Sequence, residues 1–128
     1  TASWTAKKLG IPYTPDMITD RVTNLRIGAG YLKLVLDDLG GVQAMAAAAY
    51  NAGPSRPRRW REGAKVDAAA WAENIPFSET RDYVKKVLGN AVVYAHLIDG
   101  VPLSVRKRLG QTIGPRALTA PPAQTDLP

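Results

Sequence analysis

Apolar positions recur at helical spacing through most of the chain, and alternation never persists long enough to define a strand. Val22, Leu25, Leu32, Val35, Leu36 and Leu39 mark one face of a helix that Thr19 or Asp20 can cap and that Gly40-Gly41 ends. Gly28 and Gly30 lower the stability of that helix, so the pattern predicts a close neighbour over them. Upstream, Thr1 to Leu9 read as the end of a helix closed by Gly10. Ile11 to Pro15, with two prolines, reads as a loop. Asp67 caps a short helix through Ala72 that carries Trp71. A last long helix starts at Ser78 as its N-cap, buries Val84, Val87, Leu88, Ala91, Ala95 and Ile98, and ends at Gly100. Val101 to Arg116 adds one short basic helix, and Pro121-Pro122 and Pro128 predict a tail that does not pack. The expected fold class is all-α, with residues 1–100 as the folded part and 101–128 as a basic helix and proline-rich tail.

The chain is organised around Ala46-Ala47-Ala48-Ala49-Tyr50-Asn51-Ala52-Gly53-Pro54. Consecutive alanines are the strongest helix formers and leave so little side chain that neighbours can approach closely. Asn51 and Gly53 tolerate the left-handed conformation that stops a helix, and Pro54 cannot continue one. A ring and an amide, Tyr50 and Asn51, are thus delivered at the end of a buried rod. A satisfied helix terminus would explain them as well as a binding site would.

Hydrophobic residues make up 45% of the 128 positions and charged ones 22%, the profile of a globular domain of ordinary size. The absence of cysteine excludes disulfides and thiolate metal sites. The single histidine, His96, excludes a multi-His site and reads as a packed or capping residue. No metal or other cofactor is expected. The chain starts without Met and without an apolar leader, which predicts a processed or cut piece of a longer protein. Seventeen basic against 11 acidic residues give a net charge of +6, which favours polyanions: nucleic acid, anionic lipid, or an acidic cell wall. Arg56, Arg58, Arg59 and Arg61 surround Trp60 in what reads as a basic loop. Such a loop can stack bases and hold phosphates, stack sugars and hold carboxylates, or simply be solvated around an anchoring ring.

Ala49-Tyr50-Asn51-Ala52-Gly53-Pro54, then Trp60, then Ile75-Pro76-Phe77-Ser78-Glu79-Thr80-Arg81-Asp82-Tyr83-Val84-Lys85-Lys86-Val87-Leu88 resembles the soluble lytic transglycosylases, from Thr1 to about Ile98. These bacterial enzymes cleave the glycan strands of peptidoglycan. Ser55 and Pro57 depart from the family pattern, which has Gly and an aliphatic residue there. The resemblance implies a lysozyme-like, mainly α domain that acts in the periplasm on glycan strands rather than nucleic acid. It also implies association with the cell wall or the outer membrane.

Breaking a glycosidic bond needs a proton donor at the leaving oxygen and stabilisation of an oxocarbenium-like centre. The family uses one glutamic acid. It protonates the glycosidic oxygen, then as a base helps the 6-hydroxyl of the same N-acetylmuramic acid close a 1,6-anhydro ring without water. That glutamate lies in a Glu-Ser motif followed by Gly-Leu-Met-Gln, and neither occurs here, so it is expected upstream of Thr1. Glu62, Glu73 and Glu79 are the glutamates present, and none sits in a Glu-Ser setting. By resemblance, Tyr50 orients the upstream carboxyl and tunes its proton affinity, Asn51 holds the N-acetyl sugar or the cleft wall, and Glu79 and Tyr83 line the glycan groove. Two other classes fit the residues: a non-catalytic helical module that binds peptidoglycan, and a basic helical domain that binds nucleic acid.

Overall fold

A computed structural model describes residues 1–128. Helix α1 (Ala2–Leu9) closes at Gly10, and a 3-10 turn (Pro15–Thr19) leads into α2 (Arg21–Asp38). Then follow α3 (Gln43–Ala52), α4 (Ser55–Trp60), α5 (Ala68–Glu73), α6 (Ser78–Asp99) and α7 (Val105–Leu109). A two-residue antiparallel ladder is the one departure from an all-helical chain. It pairs β1 (Val66–Asp67) with β2 (Thr112–Ile113), too short for alternation to reveal it. No helix is long and apolar enough to cross a membrane.

Helix α3 is the axis. Ala44 to Ala49 are all buried, and α2 and α6 pack against it because methyl-sized side chains keep neither away. Gly40 and Gly41, at φ 71° and 79°, make the tight reversal that brings α3 back along α2. Asp20 caps α2 by accepting from the Thr23 amide at 2.9 Å and from its hydroxyl at 2.7 Å, and these bonds hold its carboxyl below the usual range. The close approach expected over the α2 glycines is present at Gly30, where an added Cβ would run into Leu9 of α1, but not at Gly28, where it would stand an ordinary 3.4 Å from the Tyr50 hydroxyl.

Several expectations need correction. The buried row of α2 is Ile27, Tyr31, Val35 and Asp38, followed by Leu39, whereas Val22, Leu25 and Leu32 face outward. Contact with α3 runs along positions four apart, and the first turns of α2 lie beyond it. In α6 the same four-residue row, Thr80, Val84, Leu88 and Val92, is the buried one, and Ile98 is exposed because the helix has run past the bundle. Ser78 does not cap α6. Phe77 holds the N-cap position, and its carbonyl accepts from the Arg81 amide at 2.9 Å. The arginine-rich stretch is the short helix α4 rather than a loop, since Pro54 and Pro57 fall where a first turn tolerates proline. His96 is exposed and closes the end of α6, its Nδ1 lying 3.1 Å from the Val101 carbonyl.

The tail packs, against expectation. Leu127 is buried in the core cluster, the Tyr31 hydroxyl donates to the Pro128 carbonyl at 2.6 Å, and the Gln124 amide donates to Asp38 Oδ1 at 2.6 Å. Extended proline-rich backbone cannot pair with itself, so its carbonyls are free to accept from side chains of the bundle. Arg58 donates to the Gln124 carbonyl at 2.8 Å, and Arg116 donates to the Pro121 carbonyl at 2.7 Å and to the Asp38 carbonyl at 2.9 Å.

Candidate functional site

Tyr50 occupies the last turn of α3, which Gly53 ends at φ 86°. Its ring packs against Tyr31 of α2 with centroids 5.9 Å apart, and it remains 44% exposed at the end of an otherwise buried helix. That exposure places it on the walls of two clefts. One, of about 460 Å³, is lined by Tyr50, Tyr31, Gly28, Thr1, Ala2 and Pro128 among others. The other, of about 320 Å³, is largely apolar and brings Tyr50 together with Tyr83, Leu32, Leu36, Val87 and Arg108.

Asn51 points to a third opening, which it shares with Glu79, Thr80, Arg56 and Phe77. Its amide is fixed from below: the Thr80 hydroxyl donates to Asn51 Oδ1 at 2.7 Å. With the oxygen engaged, the Nδ2 group is the end left to meet a ligand. Glu79 is exposed in the first turn of α6, where the helix N-terminus favours its charge. Arg56 lies over the Phe77 ring at 4.7 Å from its centroid and donates to the Ala52 carbonyl at 2.8 Å. The four residues singled out from the sequence therefore sit around the junction of α3 and α6 but not in one cavity. Tyr50 pairs with Tyr83, and Asn51 with Glu79.

Burial raises the phenol pKa of Tyr83 above its ordinary value, and the neighbouring Tyr50 adds to the shift. Tyr31 is raised by the same two causes in the same order. Both phenols thus stay neutral donors well into alkaline solution. Glu62 is exposed, and Glu73 forms a surface ion pair with Lys85 at 2.7 Å; neither stands on the Tyr50 clefts. Tyr31, Thr80 and Gly28 are the site residues that sequence reasoning missed. Tyr31 had a signal, since it continues the row of Ile27 and Val35 at four-residue spacing. Thr80 had none, being one polar residue in the first turn of a helix.

Residues 1–71, more than half of the chain, match the family model described as the transglycosylase SLT domain. The chain belongs to the soluble lytic transglycosylase family. Residues 74–103 match a second model of the same family, the soluble lytic transglycosylase helical domain. The soluble lytic murein transglycosylase of Escherichia coli is 42% identical over 106 residues, which cover 80% of this chain and 16% of that protein. The Salmonella typhimurium protein of the same name is 43% identical over 102 residues, or 77% of this chain and 16% of its own length. Among solved structures, an inactive Glu-to-Gln mutant of the lytic transglycosylase Slt from Pseudomonas aeruginosa superposes with a TM-score of 0.82 at 35% identity, covering 89% of this chain and 19% of that one. The 70 kDa soluble lytic transglycosylase of E. coli superposes at 0.70 with 42% identity, over 77% of this chain and 16% of that one. The chain thus spans 16–19% of the length of these relatives. Its mainly α architecture is that of the lysozyme-like domain of this enzyme family.

Proposed function

We propose that the protein is a peptidoglycan lytic transglycosylase, cleaving the β-1,4 bond between N-acetylmuramic acid and N-acetylglucosamine to leave 1,6-anhydro ends. Residues 1–100 are the distal part of its lysozyme-like domain, and 101–128 are a strap over it. The observation that carries the reading is the shared cleft: Thr1 and Ala2 line the same space as Tyr50. A segment leading into Thr1 would border that same space. The general acid is the glutamate that this segment brings. The Pseudomonas relative supports this assignment, because a single Glu-to-Gln change accompanies its inactive form.

In this scheme the glutamic acid protonates the glycosidic oxygen and then, as carboxylate, accepts the proton of the 6-hydroxyl as that oxygen closes on the anomeric carbon. Tyr50 donates a hydrogen bond to the carboxyl, fixing its direction and the timing of its proton. Asn51, its oxygen engaged by Thr80, offers Nδ2 to the carbonyl of an N-acetyl group. Glu79 accepts from sugar or peptide groups, and Tyr83 provides a neutral phenol and an apolar face for a pyranose ring. The substrate is peptidoglycan in the bacterial periplasm, and the solved bulgecin A complex of a relative accords with a small-ligand cleft of this kind.

Tyr50→Phe in the full-length protein tests the assignment. Losing one hydrogen bond to a charged partner is worth about 1.5–3 kcal/mol, so kcat falls roughly ten- to a hundredfold. KM changes little, because the ring remains. An unchanged kcat contradicts the role given to Tyr50.

A further inference from the structure

The four arginines of the basic stretch do not share one task. Arg58 neutralises Asp38, Arg56 stacks on Phe77, Arg59 is exposed, and Arg61 turns into a separate cavity of about 530 Å³ at the far end of α3 from Tyr50. Arg116, from the C-terminal strap, lines the same cavity. Both guanidiniums are held in place by backbone carbonyls. Arg61 Nε donates to Gly114 O at 2.8 Å, whereas all three Arg116 nitrogens are engaged: Nε and Nη2 donate to Pro121 O at 3.0 and 2.7 Å, and Nη1 donates to Asp38 O at 2.9 Å. Carbonyls fix direction without cancelling charge.

The acids on the cavity wall are already engaged. Asp38 accepts from Arg58 at 2.6 Å and from the Gln124 amide at 2.6 Å, and Asp37 pairs with Lys33 at 2.7 Å. Neither arginine forms an ion pair, and the terminal N–H groups of Arg61 find no acceptor in the chain. Their mutual cost is visible in Arg61, whose pKa is lowered first by burial and then by Arg116, with Glu62 and Asp38 opposing. Arg61 offers its unengaged Nη groups and Arg116, whose nitrogens all donate to carbonyls, adds a second charge with no carboxylate partner; on one concave wall the two match an anion carrying two charges on one centre. A single carboxylate would leave one positive charge uncompensated.

We infer that Arg61 and Arg116 form a binding site for a phosphate group, separate from the Tyr50 cleft. The group enters as free phosphate or as the head of a phosphate monoester. The site depends on the strap, because Arg116 and the Gly114 carbonyl that orients Arg61 both come from it.

The test is a titration of the full-length protein with inorganic phosphate at constant ionic strength, followed by phosphorus NMR or calorimetry. Arg61→Gln and, as a control for bulk charge, Arg59→Gln are titrated in parallel, and the thermal midpoint of each in phosphate-free buffer reports folding. The expected result is a saturable component that Arg61→Gln weakens at least tenfold and Arg59→Gln leaves unchanged. A parallel titration with glycerol 3-phosphate identifies the source, the tighter ligand naming it. Equal weakening by both variants, or no saturable component in the wild type, overturns the site. Because the readout is binding, it stands or falls apart from glycan cleavage.

Discussion

Thr80 Oγ1 donates to Asn51 Oδ1 at 2.7 Å from a position 1% exposed, so one buried hydroxyl decides which end of a cleft amide faces outward. Replacing it with valine keeps the shape and removes the donor, leaving the Asn51 oxygen without its partner. That costs about 1–3 kcal/mol. Thr80→Val should therefore lower the denaturation midpoint and raise KM for glycan more than it lowers kcat, while Thr80→Ser, which keeps the hydroxyl, stays near wild type in KM. A Thr80→Val enzyme with wild-type KM would remove Asn51 from substrate binding. At this scale the sequence displayed the reacting types but not their fixtures. Tyr50, Asn51, Glu79 and Tyr83 carry chemistry that can be read one residue at a time. Thr80 matters only because the first turn of α6 lies under the last turn of α3, a non-local fact with no local signature.

Helices show the same division. The alanine run, the glycine stops and the Asp20 and Asp67 caps are local instructions, and the structure follows them. The buried rows were read less well, because a broad apolar stripe is compatible with several packing directions and the neighbour chooses among them. Val22, Leu25 and Ile98 have the right period and no neighbour. Gly28 connects this scale to the site. It sits inside α2 under the Tyr50 hydroxyl, where an added methyl would stand 3.4 Å away, an ordinary contact. Gly28→Ala should accordingly stabilise the protein by about 0.5–1 kcal/mol through helix propensity, measured by chemical denaturation. A destabilised variant would mean that the glycine is required by closer packing than the structure has.

The whole molecule is tied at Asp38, at the end of α2. Its side chain is 2% exposed and joins α4 through Arg58 and the strap through the Gln124 amide. Removing it leaves a guanidinium, itself only 22% exposed, without its partner. Asp38→Ala should cost roughly 3 kcal/mol, the lower part of the range for a broken buried pair, and release residues 114–128 to early hydrogen exchange. Unchanged protection there would separate the strap from the hub. The strap was not legible in the sequence because its proline content argues against regular structure, and its anchoring comes from side chains elsewhere. Strap, hub and alanine axis together hold Tyr50 at a cleft that Thr1 also borders, the geometry on which the functional reading rests. The most direct test is to digest purified peptidoglycan with the full-length protein and weigh the released fragments. A lytic transglycosylase releases muropeptides lighter than the hydrolysis products by one water, the mass of 1,6-anhydro ends, and that is the expected result. Fragments with ordinary reducing ends, or intact sacculi, would contradict it.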